Sequence, residues 1–187
     1  MGIIMNKNYL ITFFVIGLML VISASASVAD EKKLDNLIIY GEGFSFSVKE
    51  PSGWTGDTSN AAAILANVLF FKDGETCQTE NVTILVRINK KMDESVEKDL
   101  EFDMDQYRNQ YPTVQFKDIT VTHLQYKTYS KLFYVKDTFY EYVTYVNPGS
   151  GKPVTFSVSM NVQKNEASKE AFAAYQKIIG TLSLLNP

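Results

Sequence analysis

Residues 154–162 read VTFSVSMNV. Val154, Phe156, Val158, Met160 and Val162 alternate without exception with Thr155, Ser157, Ser159 and Asn161. A period of two marks a β-strand, because successive side chains leave an extended backbone on opposite sides. The apolar set belongs in a core. The polar set belongs on the other face, where a change such as Thr155→Asp is expected to be mild. Before this strand stands Asn147-Pro148-Gly149-Ser150-Gly151-Lys152, a Gly- and Pro-rich turn, and before the turn runs a second β-stretch from Thr138 to Val146. Two strands joined by so short a turn are antiparallel neighbours.

Further toward the N-terminus, Leu132 to Val135 and Ile119 to Leu124 also read as strands. Val82, Ile84, Val86 and Ile88 alternate against Thr83, Arg87 and Asn89, with Leu85 breaking the polar face, so both faces of that strand are expected to be partly covered. Val68 to Phe71 is a strand closed by Lys72-Asp73-Gly74. Leu37 to Tyr40 and Phe44 to Val48 flank Gly41-Glu42-Gly43 as a hairpin. Pro51 ends it and Trp54 follows on a loop. Asp57, Thr58 or Ser59 caps a two-turn helix over Asn60 to Ala66. A longer helix, capped by Asp93 or Ser95 and ended by Pro112, carries Val96, Leu100, Met104, Tyr107 and Tyr111 on one stripe. The last helix, capped by Asn165 or Ser168, carries Phe172, Tyr175, Ile179 and Leu182 in the same way. Strands outnumber helices and short turns join them, which makes the class α+β around an antiparallel sheet.

Leu10 to Ile22 is an uncharged apolar run, preceded by Lys7 and followed by Ala24-Ser25-Ala26 or Ser27-Val28-Ala29 as cleavage sites. Residues 1–29 therefore read as a signal peptide, and the destination is the periplasm or the extracellular space. The charge-free stretch from Asn8 to Ala29 is long enough to serve instead as an uncleaved N-terminal anchor. Residues 30–36 form a charged linker and 37–187 a single domain. Without residues 1–29 there remain 17 basic and 21 acidic side chains, a formal charge of −4. That surface offers no electrostatic reason to bind nucleic acid or anionic lipid. Cys77 is the only cysteine, so no intramolecular disulfide forms and the core must supply the stability.

Catalytic and metal motifs are weak. Gly149-Ser150-Gly151-Lys152 is superficially like a phosphate loop, but the spacing is wrong and Pro153 leads into a strand rather than a helix. Asp99, Glu101, Asp103 and Asp105 alternate like calcium-loop ligands, yet the segment lacks the required glycine and has helical spacing. Glu94, Glu97, Glu101 and Asp105 share a helix face instead, read as a solvated acidic face or a divalent-cation site. His123 is the sole histidine, and a hydrolase built on it needs a nucleophile and an orienting group that nothing marks. No catalytic residue, metal ligand or cofactor is assigned. The tyrosines say more: Tyr134, Tyr140 and Tyr142 lie in an aromatic-rich region between His123 and Pro148. Either helices cover both sheet faces and take these rings as core, or some of them line a groove for a partner or ligand.

Phe44, Phe46, Pro51 and Trp54 in GFSFSVKEPSGW, the YVNPGSGK hairpin of residues 145–152 with its following strand, and a closing helix ending IIGTLSLL together resemble the PsbP-like family. The resemblance covers most of the chain beyond residue 36. It implies an α/β/α sandwich, a central antiparallel sheet with helices on both faces, and an accessory or binding role rather than an enzymatic one. Plant members support the oxygen-evolving complex; neither that role nor any functional residue is carried over. The expectation is an exported non-enzymatic module for a protein or small-ligand partner, held by the sheet-edge loops or by Tyr134, Tyr140 and Tyr142. The alternatives are a small hydrolase using His123 and a divalent-cation binder on the acidic helix.

Overall fold

A computed structural model of the chain describes residues 36–41, 44–75, 81–91, 95–163 and 165–186. Residues 1–35, on which the signal and most of the linker are read, and Cys77 lie outside the described residues. The strands are β1 (Leu37–Gly41), β2 (Phe44–Val48), β3 (Trp54–Asp57), β4 (Val68–Lys72), β5 (Val82–Lys90), β6 (Gln115–Asp118), β7 (Lys127–Val135), β8 (Phe139–Asn147), β9 (Val154–Gln163) and β10 (Ser183–Asn186). The helices are α1 (Val96–Gln110) and α2 (Lys169–Thr181). One sheet runs β3-β4-β5-β9-β8-β7-β6 and the other β1-β2-β10, with every described strand pair antiparallel. The class is α+β, as expected.

The alternating strand β9 lies in the middle of the large sheet, between β5 and β8. Its apolar face is interior: Phe156, Val158 and Met160 cluster with Ile84, Val86, Tyr142 and Val146, with Phe46 and Val48 of β2, and with Ala171, Ala174, Tyr175, Ile178 and Ile179 of α2. Each large side chain buried in this way contributes roughly 1.5–3 kcal/mol relative to exposure. Ser168 sets the start of α2, its Oγ accepting from the Ala171 amide at 3.1 Å. A second cluster forms where Val96 and Leu100 of α1 meet Phe133, Val143 and Tyr145, with Met104 and Tyr107 packed against it. The apolar stripe read for α1 is the one that packs.

Four expectations need correction. Trp54 is the first residue of β3 rather than a loop residue, and it is buried in the main core. One apolar residue before Thr-Gly-Asp gives too short a pattern to mark an edge strand. Residues 60–66 form only a 3₁₀ turn, Ala61–Ile64, closed by Leu65 at φ 56°. Asp57 Oδ1 accepts from the Ser59 and Asn60 amides at 2.8 and 2.9 Å, but a single turn without an amphipathic stripe does not propagate as an α-helix. Ile119 to Leu124 is not a strand; β6 lies just before it, and the segment is fastened to the core by buried Val121, whose carbonyl accepts from Thr128 Oγ1 at 2.5 Å. Finally, β10 follows α2, where the sequence suggested only a helix end; Leu184 pairs with Phe46 and packs on the core.

Thr155 is also not on a tolerant face. It is 1% exposed and its Oγ1 donates to the Val146 carbonyl at 3.0 Å. The alternation is right, but polarity alone does not place a side chain in water: a hydroxyl with a partner is stable inside.

Candidate functional site

The large sheet owes its most distinctive surface to the polar face of β9. Register places Ser157 between Arg87 of β5 and Tyr145 of β8, Ser159 between Leu85 and Val143, and Asn161 opposite Glu141. Serines in the middle of a sheet leave room above them that larger residues would fill. α1 supplies the opposing wall with Asp99, Phe102, Asp103 and Tyr107, and the space between is a cleft of about 590 Å³. A volume of this size suits a small ligand.

Two phenol–carboxyl pairs span the cleft wall. Tyr107 of α1 donates to Glu141 Oε2 on β8, and Tyr145 of β8 donates to Asp103 Oδ2 on α1 at 2.7 Å. Glu141 is 8% exposed. Burial pushes its carboxyl above the usual carboxylate range, while the Tyr107 and Ser159 hydroxyls and the Arg87 charge pull the other way and the Asp103 charge adds to the rise. Asp103 is raised by burial too, opposed by the Tyr145 hydroxyl and Arg87. Both tyrosines are pushed well above their ordinary range by burial and by these carboxylates, so they remain protonated donors. Asn89 Nδ2 donates to Ser157 Oγ at 2.9 Å and holds the floor. Ser159 is 6% exposed, close enough to act on Glu141, yet its Oγ completes no hydrogen bond. At the mouth stand exposed Lys90 and the half-exposed ring of Phe102.

The tyrosines singled out from sequence separate. Tyr142 packs beneath α2, with its ring 5.5 Å from Phe172 and its hydroxyl accepting from the Ala167 amide at 3.1 Å; it is 6% exposed. Tyr134 and Tyr140 are half-buried and stacked, with centroids 5.7 Å apart and rings 5° from parallel. Tyr134 also donates to Gln115 Oε1 at 2.6 Å. None of the three lines the cleft.

His123 lies on the loop before β7, not in a strand. Its Nδ1 accepts from the Gln125 and Tyr126 amides at 3.0 Å each, so Nε2 carries the proton and donates to the Leu182 carbonyl at 2.9 Å. The ring stacks on Tyr126 at 4.5 Å. Both ring nitrogens are thus engaged, one within the loop and one on the end of α2, which leaves His123 itself no free nitrogen to act as a base. The Gly149–Lys152 segment is the β8–β9 turn, with Gly149 at φ 118° and Gly151 at φ 76°. On α1, Glu97 and Asp105 are exposed and pair with Lys127 at 3.5 Å and Arg108 at 2.5 Å; Glu94 lies outside the described residues. Among the described residues no group of three or more His, Cys, Asp and Glu side chains is arranged to hold a metal ion.

The cleft residues themselves were missed. A signal existed: Asp99 and Asp103 are four apart and sit beside Leu100 and Met104 on the packing stripe, so they turn toward the sheet while Glu97, Glu101 and Asp105 turn to solvent.

No family model and no curated protein matches the sequence. Among solved structures, LpqN of Mycobacterium tuberculosis, described as involved in cell envelope biogenesis, is similar with a TM-score of 0.52 at 17% identity, over 81% of this chain and 91% of that one. The cyanobacterial PsbP of Synechocystis sp. PCC 6803 gives 0.49 at 12% identity over 82% and 95%. A mutant of the protein Mog1 gives 0.49 at 13% identity over 82% and 97%. These proteins share the PsbP-like fold, and the likeness is one of fold.

Proposed function

We propose that the chain is an exported, non-enzymatic accessory module that binds a small ligand, or a side chain of a protein partner, in the cleft between α1 and the polar face of β5, β9 and β8. The observation that carries this reading is the buried Glu141 carboxyl, held by Tyr107 on the wall of an open cleft whose floor is serine. Burying a carboxyl is costly, and a side chain serving only the fold is more cheaply apolar. The opening run of residues 1–29 supports export, and an envelope setting agrees with the role given for LpqN. In this reading the domain is an α/β/α sandwich: Val143 and Tyr145 of β8 pack with α1, and the alternating Tyr142 and Val146 pack in the cluster that holds α2.

A protein-partner surface at Tyr134 and Tyr140 is the second reading, favoured by their half-buried stack. Backbone amide shift mapping against a small-molecule extract of the host envelope separates the two. The cleft reading expects shifts at Val143, Tyr145, Ser157 and Ser159. Shifts confined to Tyr134 and Tyr140 with a protein fraction would replace it by the second.

A further inference from the structure

Asp99, Asp103 and Glu141 all line the same cleft. The Asp103 charge raises the cost of ionising Glu141, and Asp99 acts in the same way on Tyr145. Two built-in cations line the cleft beside these three acids: Arg87, which acts on Asp103 and Glu141 while its Nε donates to the Leu65 carbonyl at 3.2 Å, and the exposed Lys90. Ser159 Oγ, more than nine-tenths buried on the floor, completes no hydrogen bond. The rings of Tyr107 and Tyr145 line the walls and Phe102 stands half-exposed at the mouth.

Resting on the binding-module reading, we propose that this cleft recognises an organic cation, a primary ammonium or guanidinium on an extended apolar stem. Any ligand entering the cleft removes water from Asp103 and Glu141. A neutral ligand leaves that loss uncompensated and an anion worsens it, whereas a cation restores the lost stabilisation in a low-dielectric setting. A bare divalent metal fits poorly, because the carboxyls are spread along two elements without a metal-ligating arrangement among the described residues. An ammonium donates in three directions, enough for a carboxylate pair and the Ser159 oxygen. The stem then lies against Leu85, Val143 and the aromatic rings, whose faces also attract the charge. Free diamines and the Lys or Arg side chains of a partner present the same chemistry.

The test is amide shift mapping of the ¹⁵N-labelled protein, expressed with its own leader, titrated separately with cadaverine, agmatine, a blocked lysine tripeptide, 1,5-pentanediol and glutarate. Saturable shifts at Val143, Ser157 and Ser159 are expected with the cations and not with the diol or diacid. Shifts from cadaverine or agmatine identify a small-ligand source, and shifts from the tripeptide alone identify a partner side chain. Asp103→Asn and Glu141→Gln, each checked for a native amide spectrum, are expected to weaken cation binding about tenfold or more. Binding should also weaken from pH 8 to pH 5. The groups facing the ligand carboxyls are Asp99 and Tyr107 of α1, Arg87 and Lys90 of β5, Tyr145 of β8 and, behind the sheet, Tyr175 of α2. Tyr107, Tyr145 and Tyr175 are all pushed above their ordinary range and stay protonated there, so the change is carried by the ligand carboxyls. Shifts with pentanediol or glutarate but not with the cations would overturn the cation assignment while leaving the cleft as a binding site. Silence with all five probes, or full affinity in both variants, would overturn the assignment as well.

Discussion

The Tyr145 hydroxyl on β8 donates to Asp103 Oδ2 on α1 at 2.7 Å, across 42 residues of sequence. The converse bond, from Tyr107 on α1 to Glu141 on β8, runs beside it. Two bonds of opposite sense between the same two elements fix where α1 sits over the sheet. They also set the width of the cleft, since the carboxyls that line it are the ones clamped.

Tyr145→Phe and Tyr107→Phe each remove one donor from a carboxyl without removing the ring. Each is expected to cost about 1–3 kcal/mol, read as a lowered urea midpoint at constant slope. If both midpoints stay at the wild-type value, the clamp does not hold α1.

Glu141 gives a pH test whose sign follows from burial. Its folded-state pKa is raised, so between the ordinary carboxylate value and the raised one the folded chain holds a proton that the unfolded chain has lost. Stability from this group is therefore fully present at low pH and declines as pH rises through that window. Glu141→Gln keeps an acceptor for Tyr107 and removes the titration. Its stability relative to wild type is expected to grow from pH 4 to pH 8 in urea unfolding, and a difference that stays flat or shrinks contradicts the buried-carboxyl account.

The centre of β9 tests the fold. Val158→Asp places an unpaired carboxyl in the main core, at a cost of several kcal/mol, on the order of the whole stability of a small domain. Asn161→Gln changes an exposed residue of the same strand without adding charge opposite Glu141 and is expected to leave the melting transition within about 0.5 kcal/mol of wild type. Equal melting of the two variants would refute the register.

Much of this fold was legible because its core strands alternate cleanly. Val82 to Ile88 and Val154 to Val162 present one apolar face each, and no other element accommodates that period. What alternation hides is the fate of the polar face. Thr155, Ser157 and Ser159 read as solvated, whereas α1 and the cleft cover them, and a hydroxyl gives the same signal in either place. The site was less legible still, since it draws on α1, β5, β8 and β9 at once. Choosing Asp99 and Asp103 over the neighbouring acids required knowing which side of α1 meets the sheet. Short irregular pieces were the other gap: the 119–126 loop owes its course to His123 and Tyr126 bonds to the end of α2 and to β10, partners about 58 residues away.

That loop yields its own expectation. His123→Ala removes the Leu182 contact and the acceptor for two backbone amides, so it should cost about 1–3 kcal/mol and speed amide exchange at Gln125, Tyr126 and Leu184. Ligand binding in the cleft should be unchanged. Loss of a measurable activity in a folded His123→Ala protein would instead promote the hydrolase reading.

The most direct test of the cleft as the binding site is to fill it. Ser159→Leu adds a branched side chain at the cleft floor between Leu85 and Val143; because Ser159 is buried, the comparison is made on protein whose amide spectrum outside the cleft is unchanged. Titrated with the same envelope extract, wild type is expected to show saturable shifts at Val143, Tyr145 and Ser157 and the folded Ser159→Leu protein none. Identical shifts in the two proteins would place binding elsewhere and contradict the account.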